Sequence, residues 1–382
     1  MRLGLGCTAL ARGRLSGHLD GIGVYTSELL KYANSDTNGL ELGLNNNVIC
    51  TVFGKKFGAA LPTACTLPMV YSVAAATSAA TGLPFLGATN LERQIDLFHA
   101  TDHYIPKLRN TPVVATIMDV IGIRHPEWVN PSLRSFKNAL FRKTVGWADQ
   151  IITISNYSAA DIADWLGAQA PKITAIPLGV SEDYFQPISQ EDKNNVLSQY
   201  QLRPGYFISV GTLQPRKNVE RIIQAHALLP SSVRTEHPLV VVGQNGWRTD
   251  DLIQTLSQLE QDGYGRWLKY VPRKDIFALL QSAHALVFPS LYEGFGLPVL
   301  EGFASGIPVI TSNTSSLPEV AGDAASLVNP SSVEEIAQAM LQLVEQTDLR
   351  NALIQKGLLQ VNKFSWAETA RLTSDVYREM LS

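Results

Sequence analysis

"SLYEGFGLPVLEGFASGIPVI", Ser290 to Ile310, sets Glu293 and Glu301 on either side of a Gly-x-Gly and a proline. The apolar run Ala285–Phe288 ahead of it reads as a strand, and Ser290–Gly296 as the loop that leaves the strand. Pro298 suits the first turn of a helix, where its missing N–H costs nothing. Gly306 stops that helix, and Pro308–Thr311 is the next strand. Glu293 therefore lies on a loop and Glu301 about one turn into a helix. Gly294 and Gly296 let the backbone approach a ligand closely. The amides of Phe295, Gly296 and Leu297 point forward from the helix start, which is a natural anion site. Amides beside carboxylates suit a ligand carrying both phosphate and vicinal hydroxyls. The plainer reading is a strand–turn–helix with two solvated glutamates, and spacing alone leaves both open.

Outward from this stretch, short β-branched runs alternate with amphipathic segments of helical length. Strands are expected near Arg2–Cys7, Val48–Phe53, Leu97–His99, Pro112–Ile117, Gln150–Ile154 and Lys172–Ile176, then near Tyr206–Val210, Leu239–Val242 and Leu268–Val271. Helices are expected over Gly23–Tyr32, Pro131–Trp147, Asn156–Leu166, Val219–Leu229, Asp250–Gln261, Asp275–Ala283 and Val333–Gln346. Such alternation predicts an α/β fold of doubly wound parallel sheets covered on both faces. The pattern restarts after the polar stretch around residues 180–195, so two domains are expected, 1–185 and 186–365. In such sheets ligands bind at the carboxyl ends of the strands, and two facing units would form a cleft.

The totals agree with this organisation. The chain has 382 residues, 45% hydrophobic and 17% charged, enough for two cores of roughly 180 residues each. A formal net charge of -3 gives no global basic field for nucleic acid. Cys7, Cys50 and Cys65 show no metal-ligand spacing and fit a reducing, cytoplasmic compartment. The N-terminal run is short and broken by glycines, and reads as a first strand rather than a signal peptide. Leu67–Gly87 is weakly polar but interrupted by Pro68, Gly82 and Pro84, which disfavours a spanning helix and suggests a loosely packed helix or flap.

Three more loops at expected strand ends carry candidate residues. In "SVGTLQPRKNVERII", the strand ends at Gly211 and Asn218 is a candidate helix cap. Arg216 and Lys217 just before it suit a diphosphate, and the plainer reading is a solvated basic turn. In "GHLDGIGVYTSELL", after the first strand, Gly21 and Gly23 would admit a phosphate or sugar to the start of the first helix. The third glycine of a dinucleotide fingerprint is missing, and Glu41 is only a chance acidic partner, so a dehydrogenase is poorly supported. In "VVATIMDVIGIRHPEWVNP", Asp119, Arg124 and His125 follow a strand, and Asp119 is a catalytic candidate placed to orient a sugar hydroxyl or a nearby cation. His125 is either a base or a turn cap. His99 and His103 are four apart, but no Cys or carboxylate set completes a metal site there. Neither a nucleophile elbow nor a Walker lysine loop is present.

These loops, in this order, resemble the retaining GT-B glycosyltransferases of family 4. The resemblance rests on "GIGVY", "TIMDV…RHPEW", "ISNYSAADI", "IPLGV", "VGTLQPRKN" and "PSLYEGFGLPVLEGFASGIPVI", and covers nearly the whole chain. It implies two Rossmann-like domains facing across a cleft, with a last helix (366–382) crossing back to the N-terminal domain. It implies that Arg216 and Lys217 hold the diphosphate, Glu301 accepts from ribose hydroxyls, and Glu293 contacts the transferred sugar with the amides of Phe295, Gly296 and Leu297. The turn Val271–Arg273 would lie near the base, and Gly21 and Gly23 near the diphosphate. No metal and no cofactor are implied, only a GDP- or UDP-sugar substrate.

The resemblance is closest to bacterial surface-polysaccharide enzymes of mannosyl- or rhamnosyl-transferring type. It implies a glycan or lipid-linked oligosaccharide acceptor. Lys55 and Lys56 beside Phe53 and Phe57 are candidates for peripheral contact with an anionic membrane surface, and the plainer reading is a solvated turn. Two positions depart from the family pattern. Met118 stands where many members have a histidine, and a thioether neither donates a hydrogen bond nor titrates. Val24 stands where many carry arginine, with Arg12 and Arg14 as candidate substitutes on the acceptor side. The alternatives are a protein that binds a sugar nucleotide without turnover, and a sugar-nucleotide epimerase or hydrolase.

Overall fold

The computed structural model describes residues 1–17, 19–33, 47–61, 64–102, 104–129, 133–167, 172–246 and 248–382; Glu41, His103 and Pro131 lie outside the described residues. The chain divides into two compact units. Unit 1 comprises Met1–Pro126, Pro131–Gly179 and Trp366–Ser382, and unit 2 comprises Glu127–Asn130 and Val180–Ser365. This differs from a division at 185/186. Tyr184, on the short turn Glu182–Phe185, buries its ring edge-on against Phe277 with centroids 4.6 Å apart, which ties that turn to unit 2.

Unit 1 is built on β1 (Leu3–Gly6), β2 (Val48–Phe53), β3 (Cys65–Leu67), β4 (Leu97–Ala100), β5 (Val113–Thr116), β6 (Gln150–Thr153) and β7 (Ile173–Ala175). They form one sheet in the order β3-β2-β1-β4-β5-β6-β7. The pairing is parallel, with Leu3 opposite both Val48 and Leu97. β1, β4 and β5 are buried along their whole length, as sheets covered on both faces require.

A helix over Thr8–Ser16 follows β1 directly, so Gly21–Ala33 is the second helix of the chain rather than the first. The sequence TALARGRLS hides the earlier one, because its apolar residues are too few and too small to make a stripe. Gly17 ends it at φ 74°. The Leu67–Gly87 stretch holds a helix, as expected, and is too short and interrupted to span a membrane. Tyr71–Thr81 is a helix with Tyr71, Ala74 and Ala75 buried, and Gly82 caps it at φ 74°. Phe53 stacks on Tyr71 with centroids 4.1 Å apart and is fully buried, so it offers nothing to a membrane. Lys55 and Lys56 remain exposed. Among the described residues no helix is long and apolar enough to cross a membrane.

The last helix, Trp366–Leu381, packs within unit 1. Its Trp366 meets Tyr25 with ring centroids 6.4 Å apart, and Thr369 Oγ1 donates to the Pro177 carbonyl at 2.8 Å.

Unit 2 contains β8 (Phe207–Val210), β9 (Leu239–Val242), β10 (Gly265–Leu268), β11 (Ala285–Phe288), β12 (Val309–Ser312) and β13 (Ser326–Val328), in the order β10-β9-β8-β11-β12-β13. The ladders are parallel, with Phe207 opposite both Leu239 and Ala285. The strand expected at Leu268–Val271 lies at Gly265–Leu268 instead, because Pro272 already caps the helix Arg273–Gln281. Helix Val219–Ala227 buries Val219, Ile222, Ile223 and His226 at helical spacing against the core around Phe207, Leu239 and Ile336. Each such fully buried aliphatic side chain contributes about 1.5–3 kcal/mol.

The strand order reverses between β8 and β11. Open α/β sheets bind ligands at that switch point, outside the carboxyl ends of the strands. In unit 2 the two loops leaving those strands are the ones that carry Arg216 and Lys217, and Glu293.

Candidate functional site

β8 ends at Val210, and Gly211 turns the chain at φ 146°, a conformation that favours glycine. Its amide donates to the Val242 carbonyl at 2.9 Å. A side chain at Gly243 would put a Cβ 2.0 Å from the Gly211 carbonyl oxygen, and one at Gly246 the same distance from the Leu213 oxygen. These two glycines therefore let the β9 loop press against the basic turn. Sequence reasoning passed over them, although "VGQNG" directly after an apolar strand was the available signal.

The turn Pro215–Lys217 leads into Asn218, which starts the next helix at φ 62°. Asn218 is not a side-chain cap. Its Nδ2 donates to the Pro289 carbonyl at 2.9 Å and the Pro330 carbonyl at 2.6 Å, so it fastens the basic turn to the end of β11. The Leu291 amide donates to the Arg216 carbonyl at 2.7 Å, a second bond between the two loops.

Glu293 is thereby brought onto both cations. Arg216 Nη1 donates to Glu293 Oε2 at 2.6 Å and Lys217 Nζ donates to Oε1 at 2.7 Å. Arg216 is also held by the Tyr292 carbonyl and by Gln214 Oε1, each at 3.2 Å. Lys217 Nζ lies 4.6 Å from the centre of the Phe288 ring. Glu293 is 8% exposed. Burial pushes its carboxyl up, but the Lys217 ammonium and the Arg216 guanidinium outweigh burial and lower it to about 2. Burial also lowers the Lys217 ammonium, against the pull of Glu293.

The Glu293 loop is itself pinned by serines from the loop after β12. Ser316 Oγ lies 2.9 Å from the Glu293 carbonyl and 2.7 Å from that of Phe295, and the Glu293 amide donates to Ser315 Oγ at 3.3 Å. The polar run "SNTSS" after an apolar strand was the signal for this support, and it went unread. Gly296 adopts φ 123° at the start of helix Leu297–Ala304, and a Cβ there would sit 2.7 Å from Leu317 Cδ2. Phe295 is buried. Pro298 carries no N–H and the Val299 amide donates to the Gly296 carbonyl at 3.0 Å, so Leu297 is the first helical amide with no carbonyl one turn behind it in the helix.

Glu301 lies on the same helix. Burial raises its carboxyl, opposed by a hydrogen bond from Tyr184 and by Arg273 and Lys217. Arg273, exposed at the start of helix Arg273–Gln281, thus falls within electrostatic reach of Glu301. Tyr184 is a further partner that sequence reasoning missed. Unit 2 so carries Gly211, Arg216, Lys217, Glu293, Gly296, Leu297, Glu301 and Arg273 on the elements that follow the carboxyl ends of its strands.

Within unit 1 the candidates are more dispersed. Gly21 opens helix Gly21–Ala33, and the Gly23 amide is already taken by Asp20 Oδ1 at 2.8 Å. Asp20 also pairs with Arg12 at 3.2 Å, so Arg12 serves the helix start. Arg14 is exposed on the preceding helix. Asp119 Oδ1 accepts from the Ile121 amide at 3.0 Å and caps the short helix Ile121–Arg124, which His125 terminates. Arg124 bonds Asp161 and donates to the Tyr157 hydroxyl at 2.7 Å. His99 is sealed in the core, as described in the Discussion. Among the described residues no group of three His, Cys, Asp or Glu side chains is placed to hold a metal.

Residues 50–184 match the family described as Glycosyltransferase Family 4, and residues 192–360 match Glycosyl transferases group 1. The chain is 35% identical over 283 residues to the O-antigen chain mannosyltransferase B of Escherichia coli, covering 74% of each protein. It is 29% identical over 260 residues to the serotype-specific mannosyltransferase WbdA of Escherichia coli, covering 66% of this chain and 31% of that one. The crystal structure of WaaG, a glycosyltransferase involved in lipopolysaccharide biosynthesis, superposes with a TM-score of 0.71 over 98% of this chain and 99% of its own, at 16% identity, which speaks for the fold alone. The chain belongs to the family 4, group 1 glycosyltransferases, with their GT-B fold of two Rossmann-like parallel-sheet domains.

Proposed function

We propose that this glycosyltransferase moves a mannosyl group from a nucleoside-diphosphate sugar to a hydroxyl of a surface glycan, with retention at the anomeric carbon. The observation that carries the reading is the convergence of Arg216 and Lys217 at the switch point of the unit 2 sheet, in the same unit as the start of helix Leu297–Ala304. Two cations and a helix start suit a diphosphate. Glu301, on the same helix, accepts from the ribose hydroxyls, with Arg273 toward the base. Glu293 meets the transferred sugar. The names of the most similar relatives support mannose and an O-antigen acceptor.

Chemistry then rests on positioning and on stabilising the charge that grows on the leaving diphosphate. The bond from the anomeric carbon to the β-phosphate oxygen breaks. The acceptor oxygen bonds that carbon from the same face, and its proton passes to the departing phosphate oxygen. Arg216, Lys217 and the helix amides receive the developing charge, so no metal ion is needed. Asp119 orients a sugar hydroxyl. A donor screen tests the reading. GDP-mannose, UDP-glucose, UDP-N-acetylglucosamine and dTDP-rhamnose are offered with and without a lipid-linked mannan acceptor. Selective GDP-mannose binding, acceptor-dependent release of GDP and an α-configured product are the expected result. Release without acceptor would point to a hydrolase, and binding without release to a protein that only holds the nucleotide.

A further inference from the structure

The two cations at the proposed nucleotide site already share one carboxylate. Glu293 presents one oxygen to each: Oε2 to Arg216 at 2.6 Å and Oε1 to Lys217 at 2.7 Å. All three side chains are largely withdrawn from water, with 10%, 22% and 13% of the Glu293, Arg216 and Lys217 side chains exposed. A carboxylate bridging two cations makes the same two-point contact that two oxygens of a diphosphate would make. Two adjacent cations in such a place, without an anion, would repel each other in a medium that screens them poorly.

The supports of the three groups differ. Arg216 keeps bonds to the Tyr292 carbonyl and Gln214, and its backbone is tied to Leu291. The Glu293 backbone is pinned by Ser315 and Ser316. An arriving diphosphate therefore finds the guanidinium already placed, and the group that has to yield is the Glu293 carboxylate.

We infer that Glu293 is an internal counter-anion that occupies Arg216 and Lys217 in the nucleotide-free protein, is displaced by the donor's diphosphate, and returns to expel the nucleoside diphosphate after transfer. The inference rests on the donor site proposed above and deepens it. Displacement frees the carboxylate to accept from hydroxyls of the donor sugar. Once the sugar has left with the acceptor, the carboxylate has lost those hydroxyls and again competes for the cations. Donor and product are then distinguished at the same two side chains. A donor repays the displaced carboxylate with sugar hydroxyls, and a bare nucleoside diphosphate does not.

The test is Glu293→Gln, with Glu293→Asp as the charge-conserving control, titrated calorimetrically with GDP and UDP and followed in thermal unfolding. Glu293→Gln is expected to bind its nucleoside diphosphate about tenfold more tightly, because a competing charge is gone. It is also expected to unfold at lower temperature when empty and to gain more from the nucleotide than the parent protein. Glu293→Asp is expected to stay within about threefold of the parent affinity. General damage to the site would weaken binding in both variants, so equal or weaker nucleotide binding by Glu293→Gln overturns the inference while parent binding leaves the donor site standing. No binding by the folded parent protein overturns both. If Glu293→Gln does not accumulate folded, refolding with GDP or UDP present is expected to recover it, since the diphosphate supplies the missing charge; failure of both nucleotides to do so overturns the inference.

Discussion

His99 on β4 and Tyr377 on the last helix lie 2.6 Å apart, from Nδ1 to the hydroxyl, with both side chains sealed from water. His99 Nε2 lies 2.7 Å from Thr116 Oγ1, and the Tyr25 hydroxyl 3.0 Å from the same oxygen. His99, whose spacing from His103 did not make a metal site, is the centre of a buried polar chain binding the C-terminal helix to the unit 1 sheet. Tyr377→Phe keeps the ring and leaves one imidazole nitrogen unsatisfied, a defect of about 1–3 kcal/mol. The urea midpoint of unit 1 is expected to fall accordingly. An unchanged midpoint would mean that the hydroxyl contributes no net stability.

Acid stability follows from the same burial. Desolvation lowers His99 to about 3, and burial lowers His226 and His284 to about 4, against 6.5 for the exposed imidazole. Their folded values lie below the unfolded one, so the unfolded chain binds more protons between them. The stabilisation is complete above pH 6.5 and is lost as pH falls through about 4 and then about 3. Each group contributes a slope of up to about 1.4 kcal/mol per pH unit in that window. Glu293, lowered to about 2, adds its own loss only below its ordinary 4.5. Denaturant midpoints at about pH 7 and about pH 5 are expected to differ clearly, with the lower value in acid. A flat profile across that interval would mean that these imidazoles are hydrated in solution.

Much of the architecture was legible because parallel sheets are written in apolar runs, and runs such as Leu239–Val242 and Ala285–Phe288 have no other economical reading. Thr8–Ser16 was not legible, since a helix that buries alanines and a glycine leaves no large apolar stripe. The Arg216–Lys217 turn and the Glu293 loop were found by their place at strand ends. The sequence could not say that they touch, because the ion pairs join residues 77 and 76 positions apart and depend on β8 lying beside β11. The glycines and serines that hold the loops were passed over for the same reason. Gly243 and Ser316 matter through what they press against, and that partner is distant in sequence.

Glu301→Ala tests the ribose assignment. The carboxyl is raised by burial, opposed by the Tyr184 hydroxyl and by Arg273 and Lys217, and it lies in the second turn of its helix. Its loss removes charge-assisted bonds to two hydroxyls, each worth roughly 1.5–3 kcal/mol. Nucleotide affinity is expected to fall by at least about tenfold, with thermal unfolding of the empty protein little changed. Tyr184→Phe, which leaves the carboxylate in place but unsupported, is expected to lose less. Normal nucleotide binding by Glu301→Ala would move the ribose elsewhere.

A chelator separates cationic side chains from a metal as the source of charge stabilisation. With Arg216 and Lys217 supplying that charge, transfer rates measured with and without EDTA are expected to agree. A rate abolished by EDTA and restored by a divalent cation would require a metal bridging the diphosphate, and would demote the two side chains to binding roles.

The sharpest division of labour is between Lys217 and Arg216. Lys217 is the more buried, pairs with Glu293 and sits over the Phe288 ring, whereas Arg216 has two further acceptors in the Tyr292 carbonyl and Gln214. Charge on the leaving diphosphate grows during bond breaking, so a cation aimed at it acts on kcat more than on donor binding. Removing one such donor costs about 2.7–4 kcal/mol, or about 10²–10³ in rate. Lys217→Ala and Arg216→Ala are each expected to lose that much in kcat, with smaller changes in donor KM. Lys217→Arg is expected to recover little, because the space between Glu293 and the Phe288 ring admits a compact ammonium better than a planar fork. Arg216→Lys is expected to recover more, since its site is the more open. If both alanine variants raise KM at constant kcat, the cations bind the ground state and the transition state alike, and the rate enhancement has to be sought at Asp119 and the acceptor.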